Sequence, residues 1–141
     1  MNFFCDCEFD VPTNTLISLA LVSEDGERVF YEVAEHPNIQ DEWVKANVVP
    51  ILEKQPIPWD LFQDKLEKFV SQFAGMNIIV NHPNDVIYFS KALLKEKGKW
   101  IMIQPLTFDV DDALSGKGST LLHNALHDAI ATKVDWFKKY G

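Results

Sequence analysis

The spacing of apolar residues changes several times along the chain, and each change marks an element. Residues 2–9 (Asn-Phe-Phe-Cys-Asp-Cys-Glu-Phe) and 15–22 are dense in aromatic, β-branched and aliphatic residues, and 29–33 alternates as a strand does. Glu24-Asp25-Gly26-Glu27 supplies an Asp-Gly turn between the second and third runs. The opening therefore reads as a three-stranded antiparallel meander. A short helix is expected from Asp41 through Trp43, Val44 and Val48, stopped by Pro50. Pro56-Ile57-Pro58 then opens a stronger helix, in which Leu61, Phe62, Leu66, Phe69, Val70 and Phe73 form one wide apolar face ending at Gly75.

Met76 to Val80 has the continuous apolar character of a short buried parallel strand. Residues 84–96 read as a helix closed by Gly98, and Trp100 to Ile103 as a further strand followed by an irregular stretch rich in Asp and Gly. A last helix runs from Leu121 or Asn124 to Tyr140. The order β-β-β-α-α-β-α-β-α predicts an α/β fold, a mixed sheet with helices on its faces.

With 141 residues, 47% of them hydrophobic, the chain is sized for one domain over 1–141 with a substantial core. No apolar run approaches the ~20 residues that cross a bilayer. The N-terminal residues have no basic segment ahead of an apolar one, so no signal peptide is expected. Cys5 and Cys7 lie two apart on a strand, a spacing that rarely meets disulfide geometry. A zinc site would need further ligands. Both are read as reduced thiols, which favours the cytoplasm.

A net charge of −8 argues at first against a nucleic-acid partner. The distribution modifies this. Residues 1–70 hold five Lys or Arg against fourteen Asp or Glu, whereas 71–141 hold eight against seven. The acidity is concentrated in the first half, where divalent metal would neutralise part of it. Tight binding to long duplex is not expected, but handling one strand end is compatible with this balance.

Asp6 and Glu8 fall on one face of the first strand. Two like charges there repel and desolvate, so either a divalent cation compensates them or the face is a solvated edge. His123 and Asp128, five residues apart, would lie about 140° from each other on a regular helix. They serve one site only if His123 sits at or before the first turn. His127 is the competing histidine.

Asp-x-Glu on the first strand, Asn-x-x-x-Asp from Asn81 to Asp85, and His-x-Ala-Leu-x-Asp-Ala at the end resemble, in order, the three motifs of the DEDDh 3′–5′ exonucleases. The segment from Trp43 to Pro50 is similar to one in the small, single-domain RNase T-like exoribonucleases of bacteria and phages. The resemblance spans nearly the whole chain. It departs at Asn84, where many relatives have an aromatic residue before the second-motif Asp, and at Cys7, where Thr or Ile is common.

The resemblance implies an RNase H-like fold and phosphodiester hydrolysis with two Mg2+ or Mn2+ ions ~4 Å apart. Asp6, Glu8 and Asp128 would hold one ion, and Asp6 with Asp85 would hold the second. His123 would be the general base, and single-stranded 3′ ends, RNA before DNA, the substrate. Homodimerisation through the Trp43 segment would be expected as well. Phe9 is a candidate stacking surface or an inward core residue, and Asn81 a candidate substrate contact. Lys91, Lys95, Lys97 and Lys99 either guide phosphates or form a solvated face. Asp109, Asp111 and Asp112 do not make a calcium loop, because Thr120 stands where its Glu belongs. Two alternatives remain: the same chemistry on DNA, and a non-catalytic nucleic-acid-binding module on this fold.

Overall fold

The three alternating runs at the start form strands that continue into one sheet. In the computed structural model, which describes residues 1–141, they are β1 (Asn2–Asp10), β2 (Thr15–Ser23) and β3 (Val29–Val33). Then come α1 (Glu42–Asn47), a 3-10 turn over Val49–Ile51, α2 (Trp59–Val70), β4 (Met76–Val80), α3 (Pro83–Leu93), β5 (Leu106–Val110) and α4 (Ala125–Tyr140). The sheet order is β3-β2-β1-β4-β5. The first three strands pair antiparallel, and β4 and β5 run parallel to β1. The fold is thus α/β, a five-stranded mixed sheet flanked by helices. No helix is long and apolar enough to cross a membrane.

Alternation along β1 divides the interior. Phe3, Cys5 and Cys7 join Leu19, Leu21 and Ile78 in the main core, covered by Phe62 and Leu66 of α2 and Phe89 and Leu93 of α3. Phe4 faces the other way, with Ile79, Leu114 and Trp136. There Ala125 and Ala129 of α4 rest on Ala20 and Val22 of β2. Small residues on both sides let the helix axis approach the sheet closely. That approach brings the start of α4 down onto the face carrying Asp6 and Glu8.

The sequence misplaces one strand. Ile101 and Ile103 are buried and Trp100 and Met102 exposed, so the alternation at 100–103 is real. This segment makes only an isolated Leu94–Trp100 bridge, plus a bond from the Ile101 N–H to the Leu93 carbonyl. The ladder forms instead at Leu106–Val110, after Pro105, within the stretch expected to be irregular. β5 itself alternates apolar Leu106, Phe108 and Val110 with Thr107 and Asp109, and its Leu106 and Phe108 pack on the main core. Two helices are also shorter than expected. Leu94 is extended and Lys97 and Gly98 have positive φ, which ends α3 at Leu93. α2 stops at Val70, although Phe73 still packs on Phe3 at 4.8 Å. Gly75 allows the chain to pass Pro105, since an added Cβ would lie 2.8 Å from its Cδ.

One residue ties the start of α4 to the rest. Asn124 caps the helix by accepting from the Leu126 and His127 N–H groups. Its amide nitrogen donates to the carbonyls of Ile51 and Leu52 and to the Tyr31 hydroxyl, which itself donates to Leu52. Asn124→Ala should lose about 2–3 kcal/mol, combining a lost cap with stranded buried carbonyls. Asn124→Ser, which restores the cap alone, should recover part of that loss. Thermal and urea unfolding would check this, and an Asn124→Ala protein as stable as the wild type would contradict it.

Candidate metal centre

The site forms where β1 loses its parallel neighbour. Pairing with β4 covers only Asn2 to Phe4, so the second half of β1 runs on with an open edge. The N-terminal turn of α3 enters that gap. Asp85, in this turn, accepts from the Cys7 N–H at 3.0 Å, a hydrogen bond that substitutes for the missing ladder. On the other side, the pairing of β1 with β2 shifts register between Glu8 and Phe9, with Ile17 as the extra residue on β2. Asp6 and Glu8 lie between these two irregularities.

α4 supplies the third carboxylate. Asp6, Glu8 and Asp128 each offer an oxygen, and these atoms all lie within 4.8 Å of one another. Asp6 Oδ2 and Asp128 Oδ1 are buried with no hydrogen-bond partner, and so is the hydroxyl of Ser18, opposite Glu8. Buried polar atoms without partners are rare and costly, and hard divalent cations bind carboxylate oxygens. This cluster could therefore hold a metal ion.

The acids resist ionising. Burial, followed by the charges of Asp85, Glu8 and Asp128, raises the Asp6 carboxyl well above its ordinary range. Burial, then Asp128 and Asp85, pushes Glu8 up to about 9. Burial lifts Asp85 to about 7, although the Cys7 N–H opposes the shift. Asp128 is also raised by burial, restrained by Ser119 and the His123 N–H. Asp85 and Asp128 sit in the first turns of α3 and α4, where helix N-termini favour negative charge. Two helix ends do not balance four carboxylates.

His123 lies just before the Asn124 cap with φ of +76°, in the left-handed region that non-glycine residues seldom adopt. Its N–H donates to Asp128 Oδ2 at 3.0 Å, so residues 140° apart on a helix meet because one is outside it. Its ring meets Trp43 edge-on, with centroids 4.8 Å apart, and neither ring nitrogen is hydrogen-bonded. His127 is occupied at both nitrogens, by Glu53 at 2.8 Å and by the Thr120 hydroxyl at 2.7 Å.

The remaining candidates lie differently. Phe9 packs on the main core and stacks on Tyr88 at 4.2 Å, as an inward residue does. Asn81 is half-buried at the end of β4, with no hydrogen bond from its side chain. Lys91 donates to the Asn14 carbonyl and Lys95 to Glu67, beside α2 and the β1–β2 turn. Cys5 and Cys7 are free, buried thiols.

Two contributors escape sequence reasoning. Trp43 stands against His123, and fully buried Asp10 accepts from the Gln40 and Asp41 N–H groups, fixing the entry to α1. The sequence marked Trp43 only as part of the Trp43–Pro50 segment and carried no signal for Asp10. Comparison with protein-family models, curated proteins and solved structures finds no match for the chain.

Each raised carboxyl holds its proton more tightly in the folded chain than in the unfolded one. From about 4.5, the ordinary Glu value, to about 9, the folded state therefore carries more protons and loses stability as pH rises. In EDTA, the melting temperature should fall from about pH 5 to pH 8. Asp6→Asn should flatten that slope and raise the melting temperature at pH 8 by about 3 °C. A pH-independent melting temperature, or a less stable Asp6→Asn protein, would contradict the charge-repulsion account.

Proposed function

We propose that this protein is a metal-dependent 3′–5′ exoribonuclease of the RNase H-like DEDDh class. The observation carrying this reading is the convergence of Asp6, Glu8 and Asp128 with two unpartnered buried oxygens, next to a histidine whose ring is free. The antiparallel meander followed by parallel strands supports the RNase H-like assignment. The motif resemblance supports the nuclease class.

The residues fit a resident cation. Asp6, Glu8 and Asp128 would hold one Mg2+ or Mn2+ ion, and Asp6 with Asp85 a second, so that four carboxylates balance two divalent charges. Bound there, the ions supply an acidified water and positive charge against the leaving 3′-oxygen. His123 accepts the proton of the attacking water at a ring nitrogen, acting as general base. The hydrogen bond from its own N–H to Asp128 keeps it beside the cluster. Trp43 restrains the ring through its edge-on contact. His127 is unsuited to the task, because Glu53 and Thr120 occupy its nitrogens.

The acidic chain disfavours extended phosphate contacts with duplex, which points to single-stranded 3′ ends. Preference for RNA and pairing as a homodimer follow from the likeness to RNase T-like exoribonucleases, and buried thiols suit a cytoplasmic setting. DNA exonuclease activity of the same kind is the second reading, since metal and phosphate contacts do not distinguish the sugars.

With Mg2+ or Mn2+ and 5′-labelled RNA, the wild type should shorten the strand from its 3′ end and stop in EDTA. His123→Ala should lose about 10²–10⁴-fold in rate, and His127→Ala only a few-fold. The same sequence as DNA should decay more slowly. Activity in EDTA would overturn the metal reading. Loss in His127→Ala with none in His123→Ala would reassign the base.

A further inference from the structure

The segment from Ser115 to Thr120, Ser-Gly-Lys-Gly-Ser-Thr, lies across α4 and is fastened at both ends. The Ser115 N–H donates to Asp135 Oδ2 at 2.9 Å, and the Thr120 hydroxyl meets His127 Nδ1 at 2.7 Å. A groove of about 430 Å³ separates this segment from the helix. His127, Ile130, Val134 and Lys138, at helical spacing, line one side, and Lys117 lies on the other. From His127 to Lys138 the helix rises ~16 Å.

We propose that this groove carries the phosphate backbone of the single-stranded substrate up to the acidic centre. The inference rests on the nuclease reading and adds the surface that grips the strand.

The charge pattern is the first argument. Lys45, Lys54, Lys65, Lys95 and Lys139 each have an acidic partner within 4.0 Å; Lys117 and Lys138 have none, as is also true of Lys68, Lys91, Lys97, Lys99 and Lys133. The one acid lining the groove, Asp135, is engaged by the Ser115 N–H. In a protein of net charge −8, two lysines on facing walls against one carboxylate give the groove a local excess of positive charge.

Position is the second argument. Gly116, in the segment that forms one wall, lies 3.9 Å, measured from an added Cβ, from the Asp128 side chain, and His127 of the opposite wall precedes Asp128 in α4, so one end of the groove lies near the carboxylate cluster. Ile130 and Val134 stay largely exposed along it, offering apolar surface to sugars and bases. A larger groove of about 770 Å³ near the end of α3 holds Lys95, Lys97 and Lys99, but Asp60, Asp64 and Glu96 line it too. That mixture does not favour an anion.

The test measures binding of a short, labelled, 3′-phosphorothioate RNA to the full chain in calcium buffer by fluorescence anisotropy. Lys117→Glu with Lys138→Glu should weaken binding about tenfold and reduce the logarithmic salt slope by about 1.4, two single-strand phosphates' worth. Lys97→Glu with Lys99→Glu should leave both unchanged. Absence of binding by the wild type, unchanged affinity and slope in the Lys117/Lys138 variant, or equal competition by polyglutamate would overturn the proposal. Manganese-dependent hydrolysis of bis(p-nitrophenyl) phosphate by the wild type reads the acidic centre without a bound strand. Its absence from the wild type would remove the nuclease reading while leaving the binding result to decide the groove.

Discussion

Three carboxylates meet at the second half of β1, with Asp85 near enough to add its charge, and their shared burial is the constraint on which the rest of the domain depends. Asp6 and Glu8 come from the strand, Asp85 from the start of α3 and Asp128 from the start of α4. Burial raises all four, and neighbouring carboxylate charge adds to the shift at Asp6, Glu8 and Asp85. A fold that keeps such a group together stores unfavourable energy at that point and must be stabilised elsewhere. Here the stabilisation comes from an apolar sheet covered on both faces, with the main core under α2 and α3 and small residues clamping α4.

The local backbone follows the same constraint. Where β4 diverges, the Cys7 N–H passes from sheet pairing to Asp85, so the open edge both creates the gap and orients one carboxylate in it. Asn124 holds the other helix start against the 3-10 turn and Tyr31. With Asn124 fixed, His123 is forced into the left-handed region, and its N–H reaches Asp128. On the far side, Asp10 ends β1 by binding Gln40 and Asp41, and Asp41 in turn caps the helix that presents Trp43 to His123. The histidine is therefore positioned by contacts from three separate parts of the chain.

Much of this was legible in the sequence because it depends on short periods. Strand alternation placed Asp6 and Glu8 on one face, and the 140° problem correctly demanded that His123 lie outside the helix. What remained hidden depends on partners distant in the chain. β5 carries a strand alternation of its own, Leu106-Thr107-Phe108-Asp109-Val110, but the more hydrophobic run at 100–103 was the stronger and misleading signal. The ends of α2 and α3 follow from turn conformations at residues 71–74 and at Lys97 and Gly98, which periodicity does not register. Phe9 had equal claims as a core or a surface residue, and only its stack on Tyr88 assigns it inward. The lysines after α3 stood out by number, yet their groove also holds Asp60, Asp64 and Glu96, whereas Lys117 and Lys138 line a groove with one acid, Asp135.

The carboxylate cluster could hold a divalent cation. The most direct measurement is anomalous diffraction from crystals soaked in Mn2+, recorded above and below the manganese edge. The account predicts a peak between the carboxylates of Asp6, Glu8 and Asp128, at the ~2.0–2.2 Å oxygen distances of a small divalent ion. A fully ordered cluster with no anomalous peak, or manganese bound only at Asp109 and Asp111, would contradict it.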